Sequence, residues 1–168
     1  MRPGWSLILF AVLLAAGLAA PAQTITERAR RDQIVLVPDD DPDMSTAFVK
    51  ARATLAEFLA LARAPRPGMS MFSVKVPLQE GDTVEYFWVN GFAGEDGHFT
   101  GSIDNAPRLL KQVRDGQAVT FSEREIVDWM YLEDGRMFGN FTGCALLKRE
   151  DPTEAETFKS QFGLHCQD

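Results

Sequence analysis

The chain has 168 residues, of which 45% are hydrophobic, and a formal net charge of −7. This length suits one domain with a core of its own. The acidic excess is dispersed along the chain and no basic stripe accompanies it, which disfavours nucleic acid and anionic membranes as partners because both repel a negative protein. A cationic partner is compatible with this charge, and dispersed acidic residues also keep a protein soluble without any partner.

Residues 1–22 have the three parts of a secretory signal peptide. Arg2 gives a basic start, residues 7–20 are apolar apart from one glycine, and Ala20-Pro21-Ala22 matches an A-x-A cleavage site. The apolar stretch is shorter than the roughly 20 residues that cross a bilayer, and the residue directly after the cleavage point is Gln23 rather than a cysteine that could carry a lipid. We therefore expect a soluble periplasmic or secreted protein that does not insert into a membrane after cleavage.

Residues 23–40 connect this leader to the rest of the chain. They begin polar and basic and then contain Gln33-Ile34-Val35-Leu36-Val37, whose β-branched side chains favour a short strand or an extended arm. The predicted organisation is a cleaved signal peptide (1–22), an N-terminal arm with a short strand (23–40) and a single domain (41–168).

A long helix is predicted from Pro42 to about Arg63. Asp41 can cap this helix, and proline is well suited to its first position. Prolines at positions 65 and 67 remove backbone donors and end it. Apolar residues recur at spacings of three and four and define one stripe that faces the core: Met44, Ala47, Phe48, Ala51, Leu55, Phe58, Leu59 and Ala62.

From residue 69 the apolar period changes to two, which indicates strands. Residues 69–78 and 84–92 flank the turn Glu80-Gly81-Asp82 and should pair as a hairpin. A short strand is expected over residues 98–103. Residues 107–113 have the composition of one or two helical turns that end near Gly116.

Three more strands are predicted, over residues 117–121, 126–133 and 136–142, with a hairpin turn at Asp134-Gly135. Residues 144–147 would extend the last strand, and residues 152–162 have helical composition before Gly163. The expected fold class is therefore α+β: one long N-terminal helix packed on an antiparallel, strongly curved sheet or small barrel, with a short C-terminal helix.

Both cysteines, Cys144 and Cys166, follow the leader. An oxidising compartment favours their pairing, so we predict a disulfide that ties the C-terminal tail to the preceding strand. A redox-active pair would show close C-x-x-C spacing, and the chain has none.

Asp96, His98 and Asp104 form the most suggestive group for catalysis. A carboxylate beside an imidazole can act as a proton shuttle, so one hypothesis is a small envelope enzyme, hydrolase-like, that uses His98 with Asp96 or Asp104. The chain has only two histidines and no Gly-x-Ser-x-Gly motif, and no complete catalytic constellation follows from it.

No metal or cofactor site is predicted. If Asp39, Asp41 and Asp43 opened a calcium loop, Met44 and Lys50 would stand where that loop requires glycine and glutamate. The chain also has no glycine-rich phosphate loop.

The segment Asp128-Trp129-Met130-Tyr131 suggests recognition. In a strand, Asp128 and Met130 face one way, and Trp129 and Tyr131 face the other. Whichever face is buried, at least one large apolar side chain therefore lies on the opposite face. One face could bind a partner, with Trp88 on a second aromatic strand beside it. The alternative is a strand covered on both sides, in which Trp129 anchors the core and Asp128 caps a neighbouring backbone.

Several motifs in a specific order resemble the YegJ-type bacterial family of unknown function. The matching stretches are Asp41-Pro42-Asp43-Met44, Glu85-Tyr86-Phe87-Trp88-Val89, Ile103-Asp104-Asn105, Gly116-Gln117-Ala118-Val119-Thr120-Phe121, Ile126-Val127-Asp128-Trp129-Met130-Tyr131 and Gly139-Asn140-Phe141-Thr142. The resemblance implies a small, often exported domain with no established catalytic residues. The Asp-Trp-Met segment also resembles a pattern in some immunity proteins that neutralise bacterial toxins.

The leading functional hypothesis is an exported, non-catalytic binding domain that recognises a protein, peptide or cell-envelope ligand. Trp88, Asp128, Trp129 and Tyr131 are its candidate partner-binding residues.

Overall fold

A computed structural model describes residues 41–166 of the chain. The predicted signal peptide and the predicted strand in the N-terminal arm lie outside the described residues. The elements within the described range are helix α1 (Pro42–Arg63), strands β1 (Met69–Glu80), β2 (Thr83–Glu95), β3 (His98–Ile103) and β4 (Ala118–Ser122), a 3₁₀ turn (Glu123–Glu125), strands β5 (Asp128–Glu133) and β6 (Arg136–Gly139), and helices α2 (Phe141–Leu147) and α3 (Pro152–Phe162).

The strands form one six-stranded sheet with the order β4-β3-β2-β1-β5-β6. All five strand pairs are antiparallel, so the predicted α+β class with an antiparallel sheet is confirmed. The sheet is open, with β4 and β6 at its edges, and the small-barrel alternative is wrong. A barrel requires the two edge strands to pair with each other, and no such pair is present among residues 41–166.

Helix α1 begins where the sequence predicts. The Asp41 side chain accepts a hydrogen bond from the Met44 backbone at 3.0 Å, and Pro42 occupies the first turn. The helix starts at residue 42, so it is not at the N-terminus of the chain. Its buried residues belong to the predicted stripe: Ala47, Ala51, Leu55, Phe58 and Leu59.

The main core lies between this stripe and one face of the sheet. Phe58 stacks on Trp129 with ring centroids 4.9 Å apart, and Trp129 packs edge-on against Phe141 at 5.4 Å. Val74 and Val76 of β1 are fully buried on the same face. Stacked aromatic rings contribute beyond the area that they bury, so the helix and the sheet are joined chiefly through Phe58.

Residues 107–113 do not form the predicted helical turns, because two carboxylates bind their main-chain donors. Glu85 accepts hydrogen bonds from the backbone N–H groups of residues 108, 109 and 110 at 2.8–3.0 Å. Glu80 accepts those of residues 111 and 112 at 3.1 and 2.7 Å. An N–H that donates to a carboxylate is withdrawn from the i→i−4 pattern of a helix, so the segment wraps around the acids instead.

Residues 144–147 do not extend β6 as predicted. The strand predicted over residues 136–142 also ends early, because Thr142 belongs to helix α2. Asn140 ends the strand by adopting a left-handed conformation with φ +50°, and its side chain accepts a hydrogen bond from the Gly143 backbone at 3.2 Å. This N-cap starts α2 immediately after β6. The strand prediction failed because Thr142, Cys144 and Leu147 suit a buried strand and a short buried helix equally well.

The C-terminal helix α3 has the predicted bounds. Asp151 caps it by accepting from the Thr153 backbone at 2.9 Å, and Gly163 ends it in a left-handed conformation. The predicted disulfide joins Cys144 and Cys166, with Cα atoms 5.7 Å apart. It ties the tail to helix α2 rather than to a strand.

The Glu85 hydrogen bonds generate a stability prediction. In Glu85→Gln, the amide supplies one acceptor oxygen and turns an N–H₂ group toward main-chain donors. Because Glu85 is only 3% exposed, each donor left without an acceptor should lower the free energy of unfolding by about 1–3 kcal/mol. Urea denaturation measures the loss.

Glu80→Gln is the matched control, since it makes the same chemical change where the bonded N–H groups are exposed. Water can replace this carboxylate, so the loss should stay within about 0.5 kcal/mol. Equal losses in the two variants would contradict a special role for Glu85.

Candidate functional site

Three side chains lie in one row across the middle of the sheet. Lys75 of β1 is directly opposite Trp88 of β2 and directly opposite Asp128 of β5. Residues directly opposite in antiparallel strands share a face, and this face is the reverse of the one that carries Val74 and Val76. We call it the outer face.

The Lys75 ammonium is held from two sides. Its Nζ donates to Thr142 Oγ1 at 2.6 Å and lies 4.4 Å from the centroid of the Trp88 ring. The second contact has the geometry of a cation–π interaction. Lys75 therefore links β1 to the start of α2 and also to the aromatic strand β2.

Asp128 is completely buried, with 0% exposure, and its carboxylate accepts four hydrogen bonds. Three of them come from the first turn of α2: the Phe141 backbone at 3.2 Å, the Thr142 backbone at 2.9 Å and the Thr142 hydroxyl at 2.6 Å. The fourth comes from the backbone of Trp129 at 2.8 Å. A carboxylate in this place satisfies free N–H groups of the helix and suits the positive end of its dipole.

Burial and charge act on this pair in opposite directions. Burial raises the pKa of Asp128, while the Lys75 charge and the hydrogen bonds from Thr142 and Trp129 lower it. Burial lowers the pKa of Lys75, and the Asp128 charge opposes that change. Each group therefore favours the charged form of the other.

The Thr142 hydroxyl bridges Lys75 and Asp128. Its O–H donates a hydrogen bond to Asp128 and its oxygen accepts one from Lys75, so the three groups satisfy one another. A nucleophile needs a base that can take its proton and space for a substrate. Lys75, Asp128 and Thr142 thus form a positioning network for α2, β1 and β5.

The four candidate recognition residues occupy different environments. Trp88 is partly exposed on the outer face. Asp128 is fully buried, and Trp129 and Tyr131 are only 7% and 8% exposed. As the alternative for this strand has it, Asp128 caps the backbone of α2 and Trp129 lies in the core. Tyr131 is largely buried, but together with Met130 it lines a groove.

Trp129 and Tyr131 are held by the core. The Trp129 indole donates to the Ala51 carbonyl at 3.0 Å, which satisfies its one polar group inside the protein. Tyr131 stacks between Phe72 at 5.4 Å and Phe138 at 5.3 Å. Both residues fix the sheet against α1 and its surroundings.

His98 and Asp104 are not brought together. They lie at opposite ends of β3, and six residues of extended chain separate their Cα atoms by about 20 Å. Asp96 is in the turn just before His98 and has a left-handed conformation with φ +52°. Both Asp96 and His98 line an open groove with Arg52 and Arg124. Within residues 41–166 no hydrogen bond joins the His98 ring to a carboxylate.

The outer face continues from Trp88 toward the β4 edge as a lane of small polar side chains. Ser73, Asn90 and Ser102 are opposite one another on β1, β2 and β3. Thr100 and Thr120, both exposed, follow on β3 and β4 with hydroxyls 3.2 Å apart. We call Asn90, Ser102, Thr100 and Thr120 the polar lane.

In the part of the chain that the structure describes, no group of three or more His, Cys, Asp or Glu side chains is arranged to hold a metal ion. No helix in that part is both long enough and apolar enough to cross a membrane.

Lys75 and Thr142 were missed in the sequence. Lys75 alternates with valines in β1 and has the pattern of a solvent-facing residue, and its partner Thr142 is 67 positions away. Only the register of three strands brings Trp88, Lys75 and Asp128 into one row, and local pattern carries no information on that register.

The network predicts a pH-dependent effect of Lys75→Met. Removing the ammonium leaves a buried carboxylate without its charge partner, which should cost about 3–5 kcal/mol near neutral pH. The pKa of Asp128, already raised by burial, should rise further. Because its folded pKa then exceeds its unfolded pKa, the penalty is fully present above the folded pKa and disappears as the pH falls through it.

Urea denaturation at about pH 8 and about pH 5 tests this sign, with the loss expected to be larger at the higher pH. Adding Asp128→Asn to Lys75→Met removes the titrating charge and should abolish the pH dependence that the single variant acquires. A Lys75→Met penalty of the same size at both pH values would show that Asp128 is not the cause.

A family model for uncharacterised proteins conserved in bacteria, DUF2314, matches residues 41–166. The chain is 28% identical over 131 residues to the uncharacterised protein YegJ of Escherichia coli, which covers 78% of this chain and 84% of that protein. It is 31% identical over 95 residues to a putative ankyrin repeat protein of Neisseria meningitidis serogroup B, covering 54% of this chain and 38% of that protein. No solved structure matches the chain.

The match to the family model spans all of the described residues, and the similarity to YegJ agrees with the resemblance seen in the sequence motifs. The chain belongs to the DUF2314 family of uncharacterised bacterial proteins.

Proposed function

We propose that this protein is an exported, non-catalytic binding domain whose outer face recognises a protein, peptide or cell-envelope ligand. The recognition surface in this proposal is Trp88 together with the polar lane, and it replaces the buried Asp128, Trp129 and Tyr131. These three residues support the surface from within.

One observation carries the proposal: the partly exposed Trp88 shares the outer face with a row of amide and hydroxyl groups on strands β2, β3 and β4. Trp88 is fixed by the Lys75 ammonium on its ring and by the Asn105 side chain, which accepts from the Trp88 backbone at 2.8 Å. A tryptophan that is already ordered loses little entropy on binding, and such residues dominate many interfaces.

The lane provides directional contacts without charge. Asn90, Ser102, Thr100 and Thr120 can each donate and accept hydrogen bonds, and none of them needs a counter-ion. This chemistry suits a polar, uncharged ligand such as an extended main chain or a hydroxyl-rich envelope component. His98 and Asp104 lie at opposite ends of β3, which gives that pair no support as a catalytic site, whereas Asp96 and His98 line one groove.

Export is supported by the leader motif and is compatible with the Cys144–Cys166 disulfide. Disulfides persist in oxidising compartments and are rare in the reducing cytosol. A binding domain stapled in this way would act in the periplasm or outside the cell.

Site-specific photo-crosslinking in intact cells tests the recognition surface. A photoreactive residue at Thr100 or Thr120 should form a specific adduct with the ligand, because both positions are exposed on the polar lane. The same residue at Glu57, exposed on α1, should not form it. Asn90→Arg, which places a long charged side chain in the lane, should reduce the adduct at Thr100 by about tenfold or more, as expected for loss of about 1.4 kcal/mol of binding free energy.

An adduct that forms equally from Glu57, or that survives Asn90→Arg, would contradict recognition by the lane. His98→Ala is a further control, since His98 is exposed at the end of β3 and lies outside the lane. It should leave the adduct unchanged.

Intact mass tests export and the disulfide together. Protein isolated from the periplasm or the medium should lack residues 1–22, because cleavage after Ala22 fits the A-x-A motif. It should also be lighter than the reduced form by two hydrogen masses, because both thiols are consumed. A full-length species confined to membranes, or two free thiols in the exported protein, would refute this prediction.

A further inference from the structure

A second feature of the outer face lies on the other side of β1, between strands β5 and β6 and helix α3. It is a groove of about 380 Å³. Residues of three strands and the last turn of α3 line it, among them Met71, Met130, Tyr131, Leu132, Met137 and Phe162. No charged side chain lines it.

Three of the six methionines in the chain line this one groove. They come from adjacent strands: Met71 from β1, Met130 from β5 and Met137 from β6. Met130 is opposite Gly139 and Met137 is opposite Leu132, so Met130 and Met137 are diagonal neighbours about 7–8 Å apart at their Cα atoms. Methionine is unbranched with three rotatable bonds, so its sulfur can adopt several positions around the groove.

The backbone of Met71 has a conformation that is unusual for methionine. Four non-glycine residues in the described range have positive φ: Met71 at +53°, and Asp96, Asp134 and Asn140. Aspartate and asparagine tolerate this conformation, whereas methionine has no local hydrogen bond to compensate for the strain. Met71 nevertheless adopts it, inside a register shift of the β1–β5 pair between Ser70 and Ser73.

Such a bulge re-aims a side chain. Met71 is 62% exposed, so core packing does not explain why an apolar side chain occupies a strained position. Strain of this kind clusters at functional sites. The bulge brings the Met71 thioether to the rim of the groove that Met130 and Met137 already line.

The third sulfur is held in place. Asn140 Nδ2 donates to Met137 Sδ at 3.4 Å. The Met137 backbone makes two hydrogen bonds to the tail. Its N–H donates to the Gly163 carbonyl at 2.7 Å, and its carbonyl accepts from the His165 N–H at 2.9 Å. The tail is in turn anchored by the Cys144–Cys166 disulfide.

We propose that Met71, Met130 and Met137 form a three-thioether site for a soft monovalent cation, with Cu⁺ as the biological ion. Thioethers are soft, neutral ligands that select Cu⁺ over hard cations. Ca²⁺ and Mg²⁺ require oxygen ligands and usually carboxylates, and the groove offers no carboxylate. The proposal is independent of ligand recognition by the polar lane.

Ag⁺ is the probe for this site, because it shares the softness and charge of Cu⁺ and requires no reductant, so the disulfide stays intact. The mature protein, with its methionine methyl groups labelled with carbon-13, is titrated with silver nitrate in chloride-free buffer. We expect the methyl signals of Met71, Met130 and Met137 to shift together and to saturate at one equivalent. The signals of Met44 and Met69, which do not line the groove, should not move.

Leucine substitutions separate a metal site from an apolar groove, because leucine preserves volume and removes the sulfur. Met130→Leu and Met137→Leu should each weaken Ag⁺ binding at least tenfold, and the triple variant Met71→Leu/Met130→Leu/Met137→Leu should abolish the one-equivalent site. Met44→Leu is the matched control and should bind like the wild type. A circular dichroism melt verifies that each variant is folded.

Two results would overturn the proposal. One is the absence of saturable shifts at the three methionines. The other is Ag⁺ binding that survives the triple substitution, or that is lost instead in His98→Ala or His165→Ala, which would place the ion elsewhere.

Discussion

The burial of one charge, that of Asp128, constrains much of this fold. A carboxylate removed from water must be fully hydrogen-bonded or it becomes costly, and here the donors come from the first turn of α2. Helix α2 must therefore start at residue 141, directly over the beginning of β5. The Lys75 ammonium then has to meet Thr142, which fixes β1 relative to both elements. One charge thus determines the relation of three elements that are distant in sequence.

Glu85 of the central strand β2 applies the same chemistry to a loop. Its buried carboxylate gathers three consecutive N–H groups of the segment after β3, while Leu110 from that segment packs with Phe87 and Ile103. The segment has no regular secondary structure, yet its main-chain donors are satisfied. Carboxylates thus take the place of helical hydrogen bonds in one segment and complete a helix terminus in another.

The hydrogen bonds of Asp128 and Glu85 to distant backbone groups could not be predicted from the sequence. The bounds of α1 and α3 were predictable because their signals are local: Asp41 and Pro42 start one helix, and Gly163 ends the other. The hairpin turn at Asp134-Gly135 was predictable for the same reason. The structure of residues 107–113 depends on Glu80 and Glu85, and that of residues 141–147 on Asp128. Helix and strand propensities depend on local sequence and carry no information on such distant partners. Tertiary contacts therefore determined the structure at both places.

The candidate site divides in the same way. Sequence could identify Trp88 and Trp129 as aromatic residues in strands, but only strand register puts Trp129 in the core and Trp88 on the outer face. The side chains of Lys75 and Ser73 on β1 then separate two regions of that face, hydroxyl and amide groups toward β4 and thioethers toward β6. The first can make directional hydrogen bonds and the second offers soft, polarisable atoms. The two regions share no side chain, so a substitution in one leaves the residues of the other unchanged.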